Sequence, residues 1–179
     1  MRYFFILLIT AIIFSCSSQA RFELFDSKYT VIDLNNIITE TDSFNVMKFE
    51  YIYNGAGVGI GDLNKDGLPD IVFAGNQVLS KVYLNQGDFK FKDITSNLAG
   101  LTNGQWYSSV TIVDINSDSW PDIYLTSTVN SDPQKRKNRL WINNGAENGS
   151  DPSFTEMAEK YGIANEDQTV NAGFFDYDR

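Results

Sequence analysis

The chain has 179 residues, of which 42% are hydrophobic, 14% aromatic and 21% charged, a composition that folds rather than staying disordered. Its formal net charge of −9 disfavours a nucleic acid as partner. It contains no histidine, which removes the commonest general base and a common transition-metal ligand, and its single cysteine, Cys16, excludes an intrachain disulfide.

Met1 and Arg2 give a short positive start, and residues 3–14 are almost wholly apolar. Roughly twelve apolar residues are too few for a membrane-spanning helix and suit the hydrophobic region of an export signal. Ile13-Phe14-Ser15-Cys16 resembles a bacterial lipobox, whose cysteine is lipidated and becomes the new N-terminus. Cleavage after Ala20, with Ser18 and Ala20 as the small residues, is the competing reading. The expectation is a lipoprotein signal over residues 1–16, with Cys16 as the lipidation site, a tether over 17–25, and one body over 26–179. Ser17 directly after the cysteine points to an outer-membrane lipoprotein, held to the membrane by its lipid, on a periplasmic or surface face that the residues do not distinguish.

Residues 26–54 hold apolar runs at 29–34 and 46–53, read as strands or mixed structure. From Gly55 a repeat begins, with units starting near residues 55, 107 and 169. Its most conspicuous part is an acidic loop. The first copy is Asp62-Leu63-Asn64-Lys65-Asp66-Gly67-Leu68-Pro69-Asp70, and the second is Asp114-Ile115-Asn116-Ser117-Asp118-Ser119-Trp120-Pro121-Asp122. The third begins Asp176-Tyr177-Asp178. Ahead of each loop, apolar Val58 and Ile60, Val110 and Ile112, and Ala172 and Phe174 alternate with the smaller Gly57 and Gly59, Ser109 and Thr111, and Asn171 and Gly173. Period two predicts a strand, and the small face predicts something packed close against it. A second strand follows each loop, at residues 70–74 and 122–126, so the loop joins a hairpin. Residues 82–87 match 140–145, and residues 91–94 match 154–157. Each unit therefore offers about four short strands. Asp62 and Asp114 stand 52 positions apart, and Asp114 and Asp176 stand 62 apart. The extra residues fall in loops at 129–139 and 146–152, where repeats tolerate insertions.

Oxygen-bearing side chains at loop positions 1, 3, 5 and 9 suit calcium, a hard cation that takes six to eight oxygen ligands. Asp62, Asn64, Asp66 and Asp70 supply one set with the Leu68 carbonyl between them. Asp114, Asn116, Asp118 and Asp122 supply the second with the Trp120 carbonyl, and Asp176 and Asp178 open the third. An EF-hand is excluded by its own requirements: position 12 should be Glu and is Phe73 or Leu125, and the flanks read as strands. Gly67 at position 6 allows a sharp turn, and Ser119 replaces it in the second loop, which predicts strain there. The metal's expected role is structural.

These residues resemble the FG-GAP or VCBS repeats of integrin α-subunit propellers and many bacterial surface proteins. Residues 53–62, the Gly75-Asn76-Gln77 turn, Tyr83-Leu84-Asn85 and residues 172–178 carry the resemblance, which is closer to bacterial ASPIC/UnbV-associated repeat lipoproteins. It implies an all-β fold of β-propeller blades, each of four antiparallel strands, present here as about two blades and the start of a third, a truncated N-terminal part. It also implies a Ca2+-stabilised binding or adhesion scaffold whose partner is a glycan or a protein. Two blades alone would leave apolar faces exposed. The alternative is a propeller-type lyase or hydrolase acting on polysaccharide, with its site on other blades; no catalytic residue is identified in this chain.

Four smaller features have a plain reading beside a functional one. Alternating Gly55, Gly57, Gly59 and Gly61 fit an inner strand and match no phosphate-loop spacing. Lys135, Arg136, Lys137 and Arg139 form a basic cluster that could meet an anion, or could simply be a solvated loop. Trp106, Trp120 and Trp141 could stack on sugars, but packing between blades is the expected use. Asn148-Gly149-Ser150 has the form of a glycosylation acceptor, which carries little meaning in a bacterium.

Overall fold

The computed structural model describes residues 22–102, 104–146 and 150–177. Cys16 and the expected export signal, Asn148 and Asp178 lie outside the described residues. The body is two four-stranded antiparallel sheets in simple chain order. The first contains β1 (Val58–Gly61), β2 (Asp70–Phe73), β3 (Lys81–Asn85) and β4 (Phe91–Asp93). The second contains β5 (Tyr107–Val113), β6 (Asp122–Ser127), β7 (Arg139–Asn143) and β8 (Phe154–Glu156). Each acidic loop closes the first hairpin of its sheet, with Gly61 opposite Asp70 and Val113 opposite Asp122. The two expected insertions fall between strands, one between β6 and β7 and one between β7 and β8.

The alternation read ahead of the loops has a packing cause. The small face of β1 lies against β5. A Cβ at Gly57 would stand 2.5 Å from the Ser109 Cα, and one at Gly59 would stand 2.5 Å from a Val110 methyl. One at Gly61 would stand 2.7 Å from an Ile112 methyl. Glycine on one blade lets β-branched side chains of the next approach its backbone. Val110 and Ile112 thereby join a core shared by both blades, built on Val72, Val82, Leu84, Ile123, Leu125 and Trp141. The pattern recurs one unit on: Ala172 and Phe174 pack on Tyr124, Leu140 and Ile142 of the second blade. The Phe174 ring meets Tyr124 edge-on at 5.2 Å. Val58 and Ile60, at the same positions of the first unit, remain 53% and 66% exposed.

Two segments differ from expectation. Residues 22–57 form no strand; their only regular element is the single-turn helix α1 (Ser27–Thr30), capped by the Asp26 side chain. The apolar runs at 29–34 and 46–53 meet no sheet edge, so their main-chain groups turn to local bends and to side chains of the first blade. Asp33 accepts from the Tyr83 hydroxyl at 2.7 Å, Asn36 donates to Asn76 at 2.6 Å, and Gln77 brackets Thr39. Residues 169–176, expected to open a third blade, run without ladder pairing among the described residues. Their carbonyls are instead taken by hydroxyls of the second blade: Ser108 donates to Thr169 at 2.8 Å and Thr111 to Ala172 at 2.9 Å. Among the described residues no helix is long and apolar enough to cross a membrane.

Candidate metal centre

The two acidic loops have the same hydrogen bonds atom for atom. In the first, Asp62 accepts from the Asp66 and Gly67 N–H groups at 3.1 and 2.9 Å. Asn64 accepts from Asp66 at 3.2 Å and Asp66 from Leu68 at 2.8 Å. In the second, Asp114 accepts from Asp118 and Ser119 at 3.2 and 2.8 Å, Asn116 from Asp118 at 3.1 Å, and Asp118 from Trp120 at 2.8 Å. These side-chain caps wind each loop into a tight coil. The coil needs left-handed backbone at positions 4 and 6: Lys65 and Gly67 have φ of 59° and 85°, and Ser117 and Ser119 have φ of 60° and 72°. Glycine takes that conformation freely, whereas serine at 119 is strained, as its replacement of glycine predicted.

Position 9 is different in kind. Asp70 is fully buried, accepting from the Leu63 N–H at 2.7 Å and the Asn85 N–H at 2.8 Å. Asp122 is buried likewise, on Ile115 at 3.0 Å and Asn143 at 2.8 Å. One carboxylate thus ties its own loop to the third strand of its blade. Burial pushes the Asp70 carboxyl up to about 6; the Asn85 and Leu63 N–H groups oppose the rise, and the Asp66 and Asp62 charges add to it. Asp122 is raised for the same reasons, burial foremost.

The third set is only begun: Asp176 lies exposed at the end of the described chain. Among the described residues no three acidic side chains converge closely enough to form a metal cluster by themselves. Even so, the donor set fits a hard cation. All its atoms are oxygens, and a carboxylate oxygen holding one N–H keeps a second lone pair. The Leu68 and Trp120 carbonyls accept no hydrogen bond among the described residues. Neither Asp70 nor Asp122 forms an ion pair with a lysine or arginine among the described residues. The loops also touch each other, since the Lys65 ammonium sits 4.1 Å over the Trp120 ring.

Trp141 and most of the basic cluster have structural uses. Trp141 is fully buried in the shared core and donates to the Ala99 carbonyl at 3.0 Å. Arg136, Lys137 and Arg139 of the basic cluster are partnered within the chain, which their spacing did not reveal. Lys137 pairs with Glu159 at 2.7 Å and Glu166 at 3.4 Å, Arg139 with Glu156 at 3.8 Å, and Arg136 donates to the Glu166 and Asn130 carbonyls.

Antiparallel four-stranded blades, joined in order and stacked through their first strands, define a repeat protein of the propeller class. Residues 62–125 match the model of the FG-GAP-like repeat, from the first aspartate of the first loop to the strand after the second. The chain thus carries an FG-GAP-like repeat over residues 62–125. No curated protein matches it.

Proposed function

We propose that this chain is an exported, calcium-stabilised propeller-type protein that serves as a non-catalytic binding or adhesion scaffold at the bacterial cell envelope, held to the outer membrane through Cys16. The observation that carries the calcium reading is the buried carboxylate at position 9, repeated in both blades beside the acidic residues of positions 1 and 5. A buried anion without a cation is costly. Asp62, Asn64, Asp66 and Asp70 would hold one ion with the Leu68 carbonyl, and Asp114, Asn116, Asp118 and Asp122 another with the Trp120 carbonyl. The ion supplies positive charge and no chemistry; the loops are thereby stiffened, and the opposite rim is left to engage a glycan or protein. The lack of histidine and the use of Glu156 and Glu159 in ion pairs support a binding role over a hydrolytic one. The finer likeness to ASPIC/UnbV-associated lipoproteins rests on the same motifs.

Trp120 lies within the second loop and provides the test. Terbium(III), an oxygen-seeking stand-in for Ca2+, should luminesce on tryptophan excitation and be displaced by Ca2+. Asp122→Asn should weaken that signal about tenfold or more, as expected for loss of a charged ligand. Luminescence that is absent, or that Ca2+ does not displace, would sink the calcium reading. For the anchor, Cys16→Ser should release the protein from the membrane fraction; continued membrane association would contradict it.

A further inference from the structure

The acidic loops occupy one end of the blades. At the other end, the β2–β3 turn, the approach to β5 and the β6–β7 loop meet the segment that precedes β1. They enclose an open cleft of roughly 400 Å3, within the range of small-ligand sites. Its walls are held from outside the cleft: Asn76 is buried, bonded to Asn36 and to the Tyr107 carbonyl at 3.1 Å, and Gln77 is fixed to Thr39. The apolar part is aromatic apart from Val129. Phe44 stands 5.1 Å from Phe49 and 5.3 Å from Trp106 between ring centroids, with both phenylalanines partly exposed and Trp106 6% exposed beneath them.

Two further properties narrow the ligand. No lining residue carries a formal charge, in a chain where 21% of residues do. Meanwhile the Ser131 hydroxyl, the Asn130 amide nitrogen and the Trp106 indole N–H line the cleft without a protein partner among the described residues. Trp106 is buried and Asn130 half-buried, and residues so placed ordinarily find a partner, whereas Ser131 is exposed at the rim. Aromatic faces beside uncharged donors match a molecule with a C–H face and a rim of hydroxyls. They offer nothing to neutralise a carboxylate, sulfate or phosphate.

We propose that this cleft binds a neutral sugar unit of an uncharged glycan, stacked on Phe44 and Phe49 and hydrogen-bonded by Asn130 and Ser131. The inference rests on the binding-scaffold reading above, and not on the calcium reading.

The test is saturation-transfer NMR on the full chain in Ca2+, with maltose, cellobiose, lactose and mannobiose as neutral probes and digalacturonate as the charged one. At least one neutral disaccharide should receive saturation on its C–H face and change the tryptophan emission. Phe44→Ala should weaken that binding about tenfold or more, the loss of one aromatic anchor. Because Phe44 also packs on Trp106, Ser131→Glu provides an independent check. Ser131 is exposed and unbonded, so the fold should survive while the added charge abolishes binding; Lys92→Ala, remote from the cleft, should bind as the parent does. Silence from all four neutral probes, preference for digalacturonate, or unaltered binding by Ser131→Glu would each overturn the proposal. Repeating the measurement in chelator separates the two readings: sugar binding that persists there upholds the cleft whatever becomes of calcium. Calcium uptake without sugar binding removes only the cleft.

Discussion

The side-chain amide of Asn143 donates a 2.9 Å hydrogen bond to the main-chain carbonyl of Leu63, a residue of the other blade and of the other acidic loop. The same amide donates to Pro121 at 3.0 Å, and its oxygen accepts from Gly145 at 2.9 Å. One buried asparagine therefore clamps its own loop and the preceding one. Asn85 holds the matching place in the first blade and donates to its own Pro69 alone, at 3.0 Å.

From that asymmetry, Asn143→Ala should cost about 2–3 kcal/mol, since buried carbonyls lose their donor. Asn85→Ala should cost about 1 kcal/mol, the worth of an ordinary hydrogen bond. Urea unfolding of the two variants checks the order; equal losses would mean that the bond between loops contributes nothing.

The glycine face of β1 makes a graded prediction. At Gly57 an added Cβ meets main chain, which cannot move aside, whereas at Gly61 it meets side-chain atoms alone, foremost the Cγ2 methyl of Ile112. Gly57→Ala should therefore cost about 3 kcal/mol and Gly61→Ala about 1 kcal/mol, the span usual for overpacking. Thermal melts of both variants test whether the blades stack through this face.

Ser119 holds a left-handed conformation that its Cβ disfavours, and Gly67 holds the same conformation freely. Ser119→Gly should stabilise the protein by about 1 kcal/mol, and Gly67→Ala should destabilise it by a similar amount. Calorimetric melts in chelator isolate this backbone effect from metal binding.

One carboxylate away from the loops predicts an acid limb. Burial alone would raise the Asp93 carboxyl, but the Lys81 ammonium at 2.6 Å and the Thr95 hydroxyl and N–H hold it below its ordinary value of 3.8. A folded-state pKa below the unfolded one means that the native protein holds fewer protons. Its stabilisation is present above pH 3.8 and fades as pH falls through the native value. Asp93→Asn should accordingly lower stability at neutral pH and flatten the loss below pH 4, as measured by urea unfolding across pH.

Much of this architecture is legible in the sequence, because the repeat is written in side-chain size. Gly57, Gly59 and Gly61 against Val110 and Ile112 encode the stacking of two backbones, and period two encodes the strands. The acidic loops were legible because their caps need Asp or Asn at fixed places. The segment before β1 was not, since an apolar run says that residues will be covered but not by what. Tyr29 stacks on Phe25 and the Val46 N–H donates to Glu40, and both residues stay exposed. The cleft was hidden for a related reason: Phe44, Trp106 and Asn130 belong to three loops far apart in the chain, and no local spacing unites them. Likewise the pairing of Lys137 with Glu159 crosses an insertion, where the repeat offers no template.

Calcium binding by both loops is tested most directly by titrating the metal-free full chain with Ca2+ in a calorimeter while following its melting temperature. Saturable uptake by both loops is expected, with Asp70→Asn and Asp122→Asn each removing one binding event. The melting temperature should climb with free Ca2+, by an amount equivalent to about 2.7 kcal/mol per site at a hundredfold excess over Kd. Identical melts in Ca2+ and in chelator, with no heat of binding, would contradict it.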